Sequence, residues 1–241
     1  MKHLQTVLCT VLLFLFLSPS SQAQNDSVKE ELNSTNDWPN LRRYRPENAQ
    51  LKPQANRVVF MGNSITDAWN KVSPDFFSEN PYIDRGISGQ TTPQMLIRFR
   101  QDVIDLKPKV VVILAGINDI AGNTGPSSLE MIEDNIASMS QLAKANGIKV
   151  VLSSVLPAFA FPWRPGINPV EKIIDLNKWL KSYAYKNGLI YLDYYSSMVD
   201  ERKGLNVNLT KDGVHPTLAG YKIMEPLAQK AISMSLNKND L

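Results

Sequence analysis

Four short apolar runs rich in β-branched residues recur along the chain, at Val58–Met61, Val110–Ala115, Ile148–Val155 and Leu189–Leu192, with a weaker one at Tyr82–Ile83. Segments with a helical apolar stripe separate them. The clearest follows Ser127-Ser128-Leu129-Glu130, a capping-box pattern, and sets Leu129, Ile132, Ile136, Met139 and Leu142 on one face before ending at Asn146-Gly147. A second starts at Asn168-Pro169, carries Ile173, Leu176, Leu180 and Tyr183, and stops at Asn187-Gly188. A third begins near Thr217 and contains Pro226, which predicts a kink. Runs that are apolar at nearly every position, separated by helices, predict an α/β fold with a parallel sheet covered on both faces. Ligands in such sheets sit beyond the carboxyl ends of the strands, so functional residues are expected just after the apolar runs.

The first 56 residues follow a different pattern. Lys2 and His3 precede an apolar run, Val7–Leu17, and then Ser18-Pro19-Ser20-Ser21-Gln22-Ala23. A charged start, a short apolar stretch and small residues at Ser21 and Ala23 are the grammar of a cleaved export signal over residues 1–23. The run falls short of the roughly 20 apolar residues needed to span a bilayer. The expectation is therefore an exported protein, periplasmic or extracellular, without stable membrane insertion. Residues 24–56 are polar and read as a leader lying on the domain through Trp38, Leu41 and Tyr44. Its cluster of Arg42, Arg43 and Arg45 reads as a solvated face. The domain itself is assigned to 57–241.

Composition sharpens this by exclusion. The chain has two histidines and one cysteine among 241 residues. Cleavage after Ala23 removes His3 and Cys9, leaving no cysteine and one imidazole, His215. That excludes a disulfide framework, a cysteine nucleophile and a multi-histidine metal site, so no metal is expected. With 26 basic against 23 acidic side chains, the charge is too balanced for an electrostatic nucleic-acid binder.

The strand ends carry four short motifs. Gly62-Asn63-Ser64-Ile65 follows the first run, Gly86-Ile87-Ser88-Gly89 the second, and Gly116-Ile117-Asn118-Asp119 the third; Asp212-Gly213-Val214-His215 precedes the last helix. Singly, each has an ordinary explanation. Ser64 could equally cap a helix, Gly86 and Gly89 could supply backbone freedom, and Asn118-Asp119 and Asp212-Gly213 are common turn pairs. Together they suggest chemistry. A serine hydroxyl needs a base to become a nucleophile. The single imidazole lies three residues after an aspartate, a spacing that lets the carboxylate hold the ring Nδ1–H and leaves Nε2 for the serine. The backbone N–H groups of Ser64 and Gly89 and the Asn118 amide are candidate donors to an oxyanion.

In order and spacing these four motifs resemble the blocks of the SGNH (GDSL) hydrolases, and the resemblance runs from about Arg57 to Ile232. It implies a three-layer α/β/α sandwich around a parallel, five-stranded, flavodoxin-like sheet, and cofactor-free ester hydrolysis. Carried over by position, Ser64 matches the nucleophile and one oxyanion donor, Gly89 and Asn118 the other two, His215 the base and Asp212 its orienting partner. The chain departs from the family pattern at Asn63, where aspartate is usual; asparagine keeps an acceptor oxygen, so the loop's hydrogen bonding is expected to survive. The α/β-hydrolase alternative would show Gly-x-Ser-x-Gly well inside the chain, which this sequence does not.

The substrate is less legible. An aromatic, proline-rich segment, Pro157 to Gly166, follows the fourth run; Trp163 and Arg164 are its candidate substrate contacts. Trp69 and Trp179 read as core, and Tyr194 and Tyr195 as residues able to line the cleft. The favoured reading is a secreted serine esterase removing short acyl groups, acetyl foremost, from a glycan or small-molecule ester. Two alternatives stand beside it: a lipolytic acylhydrolase (lysophospholipase, thioesterase or an acetylhydrolase of the platelet-activating-factor type), and a non-catalytic glycan-binding module.

Overall fold

The structure is a computed structural model describing residues 37–238. The export signal read over residues 1–23, and the leader up to residue 36, lie outside the described residues.

The expected strands form one sheet: β1 (Val58–Gly62), β2 (Tyr82–Gly86), β3 (Val110–Leu114), β4 (Lys149–Ser153) and β5 (Ile190–Leu192). Their order is β2-β1-β3-β4-β5 and every pairing is parallel. Helices lie on both faces, giving the three-layer α/β fold. Side chains alternate across a strand, and both alternating sets are apolar here. Val59, Met61, Val111, Ile113, Val150 and Leu152 face α4 (Thr92–Asp102), α6 (Leu129–Ala145) and α7 (Val170–Lys186). Val58, Phe60, Val110, Val112 and Val151 face α2 (Ser64–Val72), α3 (Asp75–Ser78) and α9 (Leu218–Asn237). Phe60 is the hub of the second layer, meeting Trp69, Phe76 and Phe77 edge-on at 5.5–5.7 Å. Among the described residues there are also three short α-helices, α1 (Arg45–Gln50), α5 (Ile117–Ile120) and α8 (Tyr195–Met198), and two 3-10 turns, Ile104–Leu106 and Val207–Leu209. No helix among the described residues is long and apolar enough to cross a membrane.

Several local readings are corrected. The cap of α6 is Ser128, whose hydroxyl accepts from Met131 N at 3.3 Å, so the Ser127–Glu130 box is out of register by one residue. The capping box belongs to α4 instead, where Gln94 reaches back to Thr91 N at 3.1 Å. Ser64 does not cap α2: Asn63 does, its Oδ1 accepting from Ile65 N at 3.1 Å, and Ser64 is the first helical residue. Trp69 is core, while Trp179 is half-buried and stacks on Tyr183 at 4.7 Å. Tyr194 lines no cleft; it is fully buried beside Trp69, because the chain turns inward at the end of β5. In the described part of the leader, Tyr44 is buried and donates its hydroxyl hydrogen bond to Gly86 O, whereas the Trp38 ring is half-exposed.

Candidate active site

Ser64 stands where β1 hands over to α2, and two glycines bring that helix close. A Cβ on Gly62 would lie 2.0 Å from Thr66 Oγ1, and one on Gly86 would lie 2.1 Å from Asp67 N. Any side chain there would push the first turn of α2 off the sheet, so these positions admit only hydrogen. Beneath them runs the Arg98 guanidinium, fully buried. It donates to Gln90 Oε1 at 2.6 Å, Asp102 Oδ2 at 3.0 Å, Gly62 O at 3.0 Å and Arg85 O at 2.9 Å. The ends of β1 and β2 and the loop after β2 are thereby tied to one side chain.

Two further polar groups brace that loop. Asn118 donates its side-chain amide to Gln90 O at 2.9 Å, next to Gly89. Gly89 itself adopts φ +80°, which turns its peptide in a way an L-residue resists. Asp67, one turn after the serine, accepts from Ser88 Oγ at 2.5 Å and joins α2 to the Gly89 loop. Asp119 is buried and accepts from Thr92 N at 2.9 Å and Thr92 Oγ1 at 2.6 Å, anchoring the start of α4. Burial pushes its carboxyl up to about 6, against the pull of the Thr92 hydrogen bonds. Asp67 and Asp119 were not singled out as site residues: Asp119 ends the third motif and read there as half of a turn pair, and Asp67 sits about a helical turn after Ser64.

The other half of the site comes from the loop before α9. His215 Nε2 lies 2.9 Å from Ser64 Oγ, and its Nδ1 lies 2.7 Å from Asp212 Oδ2. The second carboxylate oxygen of Asp212 accepts from Val214 N at 2.9 Å and His215 N at 2.8 Å. Partial burial acts to raise the Asp212 pKa, but these backbone and side-chain hydrogen bonds outweigh it and hold the carboxyl at about 2. Asp212 therefore stays anionic and keeps the proton on Nδ1, leaving Nε2 to face the hydroxyl. Among the described residues no group of three or more His, Cys, Asp or Glu side chains is placed to hold a metal ion.

Serine, imidazole and carboxylate are thus in hydrogen-bonded line, beside a loop with Gly89 and Asn118 held together. A family model, the GDSL-like lipase/acylhydrolase family, matches residues 60–223. The chain belongs to that family. It is a carboxylic ester hydrolase of the SGNH/GDSL type. An acylhydrolase structure from Bacteroides fragilis is 54% identical, with a TM-score of 0.81 over 83% of this chain and 99% of that one. A GDSL-like lipase structure from Bacteroides thetaiotaomicron is also 54% identical, with a TM-score of 0.79 over 81% and 98%. The chain spans about a third and about three fifths of the length of the two curated relatives it matches. The second of these is Esterase TesA of Pseudomonas aeruginosa, 28% identical over 142 residues.

The candidate substrate contacts stand on the open side of this GDSL-type site. The Trp163 ring is 40% exposed and centred 6.1 Å from the His215 ring. Its Nε1 donates to Asn123 Oδ1 at 3.2 Å, and Asn123 Nδ2 donates to Gly89 O at 3.2 Å. Asn123, which the sequence did not single out, therefore links the tryptophan to the oxyanion loop. Arg164 is exposed and donates to Gly122 O at 3.1 Å. Phe161 is buried and Phe159 is exposed, with Arg202 over its ring at 5.7 Å.

Proposed function

We propose that this chain removes short acyl groups, acetyl foremost, from carbohydrate by two-step acyl transfer, and that it does so after export. His215 takes the Ser64 proton as Oγ attacks the ester carbonyl. The tetrahedral oxygen is held by Ser64 N–H, Gly89 N–H and the free hydrogen of the Asn118 amide. His215 then protonates the leaving alcohol and activates the water that releases the acid.

The observation that carries the carbohydrate reading is Trp163. It offers a flat, half-exposed ring beside the His215 imidazole, held by Asn123, and a sugar face can lie against such a ring.

The test is acetate release from acetylated oligosaccharides and from nitrophenyl esters of rising chain length, with Ser64→Ala as the blank. The expected result is Ser64-dependent acetate release and a sharp fall in kcat/KM beyond four carbons. Preference for long acyl chains or lysophospholipids would overturn the carbohydrate reading, and full activity in Ser64→Ala would overturn the nucleophile.

A further inference from the structure

Next to Trp163 lies a second cavity, of about 470 Å³, that the hydrolytic step does not use. Gly122, Asn123, Ser127, Arg164, Ile167 and Lys172 line it. One of these side chains touches the described site: Asn123 bonds both Trp163 and Gly89 O, while Arg164, next to Trp163 in sequence, bonds Gly122 O of the cavity wall. The cavity is therefore a continuation of the shelf on which a substrate bound at Ser64 would rest.

Its charge is one-sided. Arg164 and Lys172 are both exposed, and among the described residues neither forms an ion pair with a carboxylate. Elsewhere exposed cations do find partners: Lys71 pairs with Asp67, Lys178 with Asp175, Arg202 with Asp200 and Lys222 with Glu225. Lys172 also stands in the first turn of α7, the end of a helix where a cation is disfavoured by the backbone dipole. The lining holds one carboxylate, Asp119, and its oxygens are taken up by Thr92. Glu171, beside Lys172, does not line the cavity and acts instead on Tyr195.

We propose that this cavity is a subsite for the carboxylate of a uronic acid in the glycan, one sugar removed from the ester that Ser64 cleaves, with Arg164 and Lys172 as its specificity-determining residues. The proposal rests on the carbohydrate reading above and narrows it to acidic glycans. A phosphate would satisfy the same two cations, so a phospholipid headgroup is the competing source of the anion. The Trp163 ring and the polar Asn123 and Ser127 favour a sugar there; Pro126 and Ile167 also line the cavity, so the lipid arm of the test decides between the two sources.

The experiment compares kcat/KM for acetate release from acetylated uronic-acid-containing oligosaccharides and acetylated neutral xylooligosaccharides, and for fatty-acid release from lysophosphatidylcholine, in the full chain and in Arg164→Gln, Lys172→Gln and Lys172→Glu. The wild type is expected to prefer the acidic oligosaccharides through KM, with the preference shrinking as salt is raised. Each glutamine variant should lower the acidic-to-neutral ratio about three- to fivefold, the size of one exposed ion pair, and Lys172→Glu should lower it further. If the wild type shows no preference, or the variants lose both glycans equally, the subsite is overturned while the carbohydrate reading stands. If only the lysophospholipid is turned over, both fall.

Discussion

The two sides of the active site are built by different means. Ser64 and the Gly89 loop are held by the core. Glycines at the ends of β1 and β2 let α2 press on the sheet, and a fully buried Arg98 binds the strand ends together. Asp212 and His215 sit on a surface loop, 42% and 35% exposed, and apart from the His215–Ser64 contact are held by hydrogen bonds within residues 210–216. One side is held by the packed core; the other is held mainly by hydrogen bonds between neighbours in a short loop, with Val214 as its buried anchor. Position and stability are therefore coupled on the serine side and separable on the histidine side.

The sharpest way to break that comparison is to cut each side at its centre. His215→Ala should lower ester turnover by at least about a thousandfold, because no other imidazole lies in the described chain, while leaving the urea unfolding midpoint nearly unchanged. Arg98→Leu should do the opposite in kind. It leaves the buried Asp102 carboxylate without its cation and takes a donor from the carbonyls of Gly62 and Arg85, which should cost about 3–5 kcal/mol of stability. A loss below about 1 kcal/mol in Arg98→Leu, measured by equilibrium unfolding, would show that the serine side does not depend on the core in this way.

The two carboxylates titrate in opposite directions, which gives a second test. Asp119, on the core side, is pushed up to about 6 by burial. An acid whose folded pKa is raised contributes stability that is complete below its ordinary value of 3.8 and is lost as pH rises through about 6. Asp212, on the loop side, is held at about 2 by its hydrogen bonds, so its contribution is complete above 3.8 and is lost as pH falls towards 2. The difference in Tm between the wild type and Asp119→Asn should change between pH 4 and 7. For Asp212→Asn it should change between pH 4 and 2. Parallel Tm curves in either window would mean that the environment named for that residue is wrong.

The same division explains what could be read from the chain. The sheet and its covering helices follow from apolar runs of β-branched residues and from stripes at helical spacing, because both patterns report burial directly. His215, Asp212 and Ser64 were legible because their relation is local or unique: one imidazole, an aspartate three residues before it, and a serine at a strand end. The supports on the core side were not. Arg98 reads as an ordinary helix arginine, and nothing near it in sequence indicates that its four acceptors come from Gly62, Arg85, Gln90 and Asp102. Tyr194 failed for a related reason: it follows a strand end, like the site residues, but the chain folds it inward onto Trp69. The α6 cap was misplaced by one residue because Ser127 and Ser128 are equivalent as sequence, and only the turn geometry selects between them.

The smallest expected effect probes the loop alone. Thr210 Oγ1 accepts from Gly213 N at 3.0 Å and offers its one proton to His215 O at 2.8 Å or Asp212 Oδ1 at 3.2 Å. It thus closes the turn that carries both residues, with a bridge between Thr210 and Pro216 at its base. Thr210→Val keeps the shape and removes the hydroxyl, at a stability cost of about 1 kcal/mol for a hydrogen bond of this kind. If the loop is held only by local bonds, kcat on a nitrophenyl acetate should fall about three- to tenfold with little change in KM, since the ring loses alignment with Ser64 while the substrate shelf is untouched. Thr210→Ser should restore kcat, because the hydroxyl and not the methyl is the holding group. A Thr210→Val enzyme with wild-type kcat would mean that the core, through α9, positions His215 as firmly as it positions Ser64, and the contrast between the two sides would collapse.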